Sequence, residues 1–535
     1  MTSKQIRYTL PFRDMGMDDQ PKVGGKNASL GEMIRHLESA GVRIPDGFAT
    51  TSDAYRYFID ANELEEPIRQ NLDKYHSGEL EIDGAGRNIR QLFQKSTFPT
   101  ALAEAIRDAY TELNHKYAEI YEKDPDTYTA DVAVRSSATA EDLPGASFAG
   151  QQETYLNVQG AEDLMTACKK CFASLFTNRA IVYRDKKDFG HMDVALSVGV
   201  QKMVRADNSC SGVMFTVDTE TGFPNALLIN GSWGLGENVV KGTVNPDQYY
   251  VFKERLNDAG LVPIIDKITG SKEMKMVYSG DEGGTTENIP TSLAERQQMV
   301  LDDEEILQLA RSGVAIEEHY DKPMDIEWVK EDETGLLYIV QARPETVHSL
   351  KMNGMLKSYR LRESNPKLLL KGQSVGSVIT TGKVKVVRDT SDLSGIEEDT
   401  ILVTEMTEPD WVPALKNAGG IVTDFGGRTC HAAIVSRELG IPAVVGTDKA
   451  TQELKDGEEI TLSSAEGDVG KIYEGKLEFN VEEVDLGSLP KPETEVMLNL
   501  ATPESAFKWW RLPVSGVGLA RMEFIISNHI RIHPM

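Results

Sequence analysis

Apolar residues along the chain fall into two rhythms, one of period two and one of period 3.6. VAVRSSA at 132–138 and VALSVGVQKMV at 194–204 are apolar or alternating over strand length, which predicts two buried strands. Pieces at 212–217 and 226–230 predict two more, and these lead into the glycine-rich turn GSWGLGEN. MDIEWVK at 324–330 and LLYIVQARP at 336–344 alternate on either side of the turn-rich EDETG, so they predict a hairpin. The helical rhythm is clearest in Leu102, Ile106, Tyr110, Leu113 and Tyr117, within an interval of helical patterns from 55 to 124. It recurs in Leu30, Met33, Ile34 and Leu37, after the opening VGGKNAS, with Asn27 as the expected cap and Gly41 as the stop.

The stretch IVTDFGGRTCHAAIVSRELGIPAVVG at 421–446 combines both rhythms. Residues 421–425 predict a short strand, Gly426 and Gly427 a tight turn, and Thr429 the N-cap of a helix from His431 to Leu439. Gly440 then ends the helix and Pro442 follows. His431 thus falls in the first helical turn, where unpaired N–H groups and the positive end of the dipole favour a phosphoryl group. The same dipole disfavours imidazolium, so the ring stays neutral and nucleophilic near pH 7. Two readings stay open from these residues alone: a capping or packed histidine, and a phosphoryl carrier flanked by the anion-friendly Arg428 and Thr429.

Three other places carry candidate chemistry. Two glycines before Lys26 at a helix start would let backbone approach a phosphate, although the spacing is not that of a Walker A loop; a solvated lysine is the alternative. Arg135 lies on the 132–138 strand, before the small-residue segment 143–152, LPGASFAGQQ, which is either a lid over phosphates or a plain surface loop. In the hairpin, period two puts Asp325 with Glu327 on one face and Gln341 with Arg343 on one face. Paired across the two strands, these offer oxygen ligands for Mg2+ and a guanidinium for phosphate, or ordinary cross-strand polar pairs.

Composition sets the frame. At 535 residues the chain is too long for one core, and about 150 residues per domain gives three or four units. A net charge of −27 argues against nucleic acid or an anionic membrane as partner. No run approaches roughly 18 apolar residues and the N-terminus lacks a signal peptide's apolar core, so the protein is read as cytoplasmic. Four cysteines argue against a disulfide framework; Cys168 and Cys171 share a helical stripe with Leu164, Phe172 and Leu175 and are expected in a core. Weak patterning marks a linker at 346–383, a β-rich unit at 384–475 surrounds His431, and a second linker at 476–495 carries Pro490 and Pro492.

GGRTCHAAIVSRELGIPAVVG closely resembles the phosphohistidine motif of the phosphoenolpyruvate synthase (pyruvate, water dikinase) family of PEP-utilising enzymes. Pyruvate, phosphate dikinases usually carry Met-Thr-Ser where this chain has Arg428, Thr429 and Cys430. GGKNASLGEM, VRSSATAEDLPGASFAGQQET, MDIEW and VQARP resemble the same family. The resemblance implies a multidomain α/β and α+β protein: an ATP-grasp domain over 1–345, a swivelling phosphohistidine β/β/α domain, and the start of a (β/α)8 barrel at 496–535. It implies Lys26, Arg135 and Arg343 on ATP phosphates, Glu327 and Gln341 on Mg2+ with Asp325 in support, and a nucleotide hinge at 201–204. It further implies His431 as nucleophile with Arg428 beside it, Thr429 as the target of a regulatory kinase/phosphorylase, and Arg521 on pyruvate or phosphoenolpyruvate. The implied reaction makes phosphoenolpyruvate, AMP and phosphate from pyruvate, ATP and water, with a swinging carrier and a homo-oligomeric full-length protein. A (β/α)8 barrel takes about 250 residues and only some forty are present, so this chain is expected to perform the ATP-to-His half-reaction alone. Two rivals are weighed: a rifampicin-type phosphotransferase, for whose drug-binding domain the interval 346–383 is too short, and a non-enzymatic nucleotide-binding or interaction protein.

Overall fold

The computed structural model describes residues 6–139, 142–143, 146–147, 154–187, 189–258, 260–279, 286–345, 355–389, 392–393, 395–407, 411–486, 492–501, 506–507, 509–530 and 532. Its N-terminal part is built on two sheets. The first contains β1 (Thr9–Pro11), β2 (Gly47–Thr50), β3 (Val132–Ala138), β4 (Thr154–Val158) and β5 (Leu196–Lys202) in the order β1-β2-β5-β3-β4. Helices α1 (Gln20–Leu37), α2 (Ser52–Ala61), α3 (Glu65–His76), α4 (Ile82–Lys95), α5 (Thr100–Ile120) and α6 (Ala161–Ser174) accompany it. The expected stripe on α5 is buried at all five positions, packed with Cys168, Cys171 and Phe172 of α6. All four cysteines are free and buried, and burial pushes the Cys168 thiol up to about 12.

The second sheet contains β6 (Cys210–Phe215), β7 (Ala226–Trp233), β8 (Asp247–Phe252), β9 (Ile264–Ile268), β10 (Met324–Lys330) and β11 (Leu337–Pro344) in the order β9-β8-β7-β6-β10-β11. Its strands and helix α7 (Asp303–Tyr320) share a core with the apolar face of α1, so α1 lies between the two sheets. Inward residues alternate with polar ones along β10: Met324, Ile326 and Trp328 are fully buried, whereas Asp325 and Glu327 are half-buried on the opposite face.

A closed seven-stranded barrel follows, made of β13 (Leu368–Val375), β14 (Ile379–Val386), β15 (Thr400–Thr404), β16 (Gly420–Thr423), β17 (Ala443–Val445), β18 (Glu459–Ser463) and β19 (Val469–Glu474). Strands β14, β15, β16 and β17 are parallel neighbours, and helix α8 (His431–Leu439) is the crossover from β16 to β17. Ala432, Ala433 and Val435 of α8 pack on Leu402, Ile421 and Ala443. The His431 loop therefore emerges at the carboxyl end of β16.

Both intervals expected to be linkers carry regular structure. The barrel already begins at Leu368, and β12 (Met355–Leu361) pairs antiparallel with β20 (Phe479–Asp485) along their whole length. The chain thus enters and leaves the barrel through one two-stranded ribbon, with Lys357 on Glu483 at 2.6 Å and Arg362 on Glu478 at 2.8 Å. Their charged, weakly patterned sequences conceal strands because both faces of the ribbon meet water. The final segment pairs β21 (Met497–Leu500) in parallel with β22 (Gly516–Ala520), before α9 (Met522–Ile525). Among the described residues no helix is long and apolar enough to cross a membrane.

Candidate functional site

The first wall of the site is a kink in α1. Gly24 adopts φ 75° and ψ 162° inside the helix, so Lys26 begins a fresh helical segment with its own amide-rich start. A Cβ at Gly24 would lie 2.2 Å from Ser137 Oγ and 2.7 Å from Ser137 O, so only glycine lets α1 press onto β3. Asn27, expected as a cap, instead donates to Val23 O at 3.0 Å and to Ser197 Oγ at 2.9 Å, pinning the helix to β5. On β3, Arg135 Nη1 reaches Val340 O at 3.4 Å and Gln341 Oε1 at 3.5 Å across the inter-sheet gap. Arg135 Nε and Ser137 Oγ are buried without hydrogen-bond partners among the described residues, which leaves polar groups available to an anion. Of the segment 143–152 expected as a lid, 144–145 and 148–152 lie outside the described residues. In the stretch 201–204 expected as a hinge, the Gln201 amide donates to Pro45 O at 3.2 Å and Lys202 Nζ to Asp131 at 2.6 Å.

The second wall is the predicted hairpin. Glu327 stands opposite Gln341 and Asp325 opposite Arg343. Gln341 Nε2 donates to Glu327 Oε1 at 3.2 Å, and Arg343 Nε donates to Asp325 Oδ2 at 2.9 Å. Strand register extends each pair into a row on one face of the sheet. One row runs Gln341, Glu327, Val213, Asn230, Gln248; the next runs Arg343, Asp325, Phe215, Leu228, Tyr250. With strands about 4.8 Å apart, Asn230 stands roughly 10 Å from Glu327.

The His431 loop stands on these two rows. Asn230 Nδ2 donates to Thr429 Oγ1, Arg428 Nη1 donates to Tyr250 Oη at 3.0 Å, and Gln248 Nε2 donates to Gln373 Oε1 at 3.0 Å. Gln373 Oε1 also accepts from Arg428 N at 3.2 Å, and Asn245 Oδ1 accepts from Gly426 N at 3.0 Å. Thr429 is therefore a foot on the second sheet; the N-cap is Cys430, with no side-chain cap bond. Arg428 is buried and engaged by Tyr250, by Asp468 Oδ1 at 2.6 Å and by Asp468 O. The helix from His431 to Leu439 and its left-handed Gly440 cap, φ 72°, are as expected.

His431 Nδ1 lies 2.9 Å from Thr407 Oγ1. Burial holds its pKa down at about 4, so the ring is neutral at pH 7. With the hydroxyl accepting from Nδ1–H, the Nε2 lone pair is left to attack. Thr407 was not singled out from the sequence. Its signal is topological: it follows β15, the parallel neighbour of β16, and so reaches the same end of the barrel. Arg521 is not brought to this site; it is exposed after β22, its N–H on Leu500 O at 2.8 Å.

Residues 20–363 match the family model "Pyruvate phosphate dikinase, AMP/ATP-binding domain". The chain belongs to this family. Residues 396–467, which hold the His431 loop, match "PEP-utilising enzyme, mobile domain". Phosphoenolpyruvate synthase of Aquifex aeolicus is 52% identical over 99% of this chain and 62% of its own length. The Synechocystis phosphoenolpyruvate synthase is 50% identical over 99% of this chain and 65% of its own length. A probable phosphoenolpyruvate synthase of Pyrococcus horikoshii is 40% identical over 100% of this chain and 67% of its own length. The chain thus spans a little under two thirds of the length of the first two. Both family regions are thus present in the chain, and the His431 loop of the second stands on the two rows of the first.

Proposed function

We propose that this chain transfers a phosphoryl group from ATP to His431 and that the complete protein uses it to make phosphoenolpyruvate from pyruvate. The observation that carries this reading is a half-buried, neutral histidine, one ring nitrogen of which has no partner among the described residues, on a loop anchored to the sheet face that bears Glu327, Gln341 and Arg343. Lys26, Arg135 and Arg343 hold the polyphosphate, with Asp325 orienting Arg343 through its ion pair at 2.8 Å. The donor set suits Mg2+: a carboxylate and an amide oxygen from adjacent strands, both hard oxygen ligands, are Glu327 and Gln341. When bound, the ion neutralises phosphate charge.

His431 Nε2 attacks the β-phosphorus of ATP and breaks the α–β bridge, releasing AMP and leaving a pyrophosphoryl group on the ring; water then cleaves the β–γ bond, giving phosphate and phosphohistidine. Since the nucleophile is already neutral, the protein's contribution is positioning and charge compensation. The barrel then swings on its ribbon to a second site, where Arg521 binds pyruvate or phosphoenolpyruvate. Thr429 serves as a regulatory phosphorylation site: a dianion there would remove the Asn230 contact and repel the incoming phosphate. The test is intact-protein mass after mixing with Mg-ATP, beside His431→Asn, with AMP counted in parallel. One acid-labile phosphoryl per chain and stoichiometric AMP are expected. ATP binding without label, with the missing length of the relatives supplied as a separate chain, would refute the reading.

A further inference from the structure

The seat of the His431 loop depends on one charged contact outside the residues considered so far. Glu220 lies in the turn between β6 and β7, and its Oε1 accepts from Arg437 Nη2 in the last turn of α8. Its Oε2 accepts from the backbone N–H of Gly376, between β13 and β14, at 3.0 Å. One carboxylate therefore grips two separate parts of the barrel. Arg437 Nη2 also donates to Arg428 O, so the guanidinium held by Glu220 closes the loop from 428 to 437 around His431. The Glu220 and Arg437 side chains are 12% and 7% exposed, and among the described residues theirs is the one ion pair across this interface.

The turn that presents Glu220 is itself held. Asp218 Oδ2 accepts from Thr221 N at 2.8 Å and from the Thr221 hydroxyl, and Gly222 N donates to Asp218 O at 2.9 Å. Elsewhere the two surfaces meet through bare glycine backbone and through hydrogen bonds in which at most one partner is charged, such as Arg428 on Tyr250 and Asn245 on Asp448 at 3.4 Å. A Cβ on Gly242 would lie 2.3 Å from Cys430 Cβ, and one on Gly427 3.2 Å from Pro246 Cδ. An interface of this composition gains little from apolar burial and separates without exposing a core. Its occupancy then rests on the desolvated charge pair, because losing one partner leaves the other buried and uncompensated until the surfaces part.

We propose that Glu220 is a positioning residue that, through Arg437, seats the His431 loop on the nucleotide-side sheet. Its effect on phosphoryl transfer rests on the function proposed above; its effect on docking does not. The experiment uses spin labels at Glu318→Cys on α7 and Lys455→Cys on the barrel, both exposed, while the native cysteines are buried. The parent chain should give one inter-label distance. Glu220→Lys should broaden it to longer values and slow phosphohistidine formation about 10- to 100-fold, with Mg-ATP affinity unchanged within about twofold. Glu220→Arg combined with Arg437→Glu should recover the single distance. A Glu220→Lys chain with the parent distance and rate overturns the proposal, as does a charge swap that stays undocked while the double variant melts normally. If the parent takes no phosphoryl group, the proposed function fails and the distances still decide the docking role.

Discussion

The protonation state of His431 gives a sharp prediction. Burial holds its pKa down at about 4. At pH 5.5 an ordinary histidine near 6.5 is only about one tenth neutral, whereas a group titrating near 4 is about 97% neutral. Acidification from pH 7.5 to 5.5 should therefore leave the His431 contribution to phosphoryl transfer nearly constant, where an exposed histidine would lose about tenfold. The sign for stability follows from linkage. Above pH 6.5 the ring is neutral folded and unfolded and contributes nothing; as pH falls towards 4 the unfolded chain binds a proton that the folded site refuses. Stability then drops by up to about 3 kcal/mol, a loss absent from His431→Asn. The direct assay is 13Cε1-histidine NMR from pH 7.5 to 4, with His431→Asn assigning the resonance, beside single-turnover phosphohistidine formation at saturating Mg-ATP. A His431 midpoint near 6.5 would refute the reasoning, since the ring would then be solvated and outside the pocket.

Other outcomes follow from single contacts. Thr407→Val removes the partner of His431 Nδ1 and should slow His431 phosphorylation about 3- to 10-fold, the worth of one hydrogen bond; an unchanged rate means the hydroxyl does not select the ring tautomer. Gly24→Ala forces a Cβ against Ser137 at a left-handed φ of 75°, costing about 1–3 kcal/mol and weakening Mg-ATP binding; calorimetric affinity equal to the parent's would count against the kinked helix as a phosphate site. Asp247→Ala leaves Lys272 charged where both partners are fully buried, so the urea midpoint should fall by the equivalent of about 3–5 kcal/mol; a midpoint within error of the parent's contradicts the buried pair.

Local periodicity made much of the architecture legible. The α5 stripe, strand β3 and the helix from His431 to its Gly440 cap could each be read from neighbours a few residues away, because side-chain spacing and glycine conformation act over that range. The β10–β11 hairpin is the strongest case: its short turn set the register, which then placed Glu327 opposite Gln341 and Asp325 opposite Arg343. The linkers were misjudged for a related reason. A two-stranded ribbon wet on both faces has no apolar alternation to betray it, so β12 and β20 declare themselves only when paired.

The sequence by itself therefore determined the chemical inventory and the local elements: a glycine-flanked histidine at a helix start, a glycine-lysine helix opening, and a hairpin bearing facing carboxylate and guanidinium. Tertiary structure alone decided what these groups meet. It turned Arg428 and Thr429 away from the His431 ring towards Tyr250 and Asn230, set Thr407 on Nδ1, and joined Glu220 to Arg437. Asn230 and Thr429 are 199 positions apart and Glu220 and Arg437 217. No periodicity spans such intervals: these contacts arise from the order of strands in two sheets and a barrel, and from the close approach that glycines allow where the two surfaces touch.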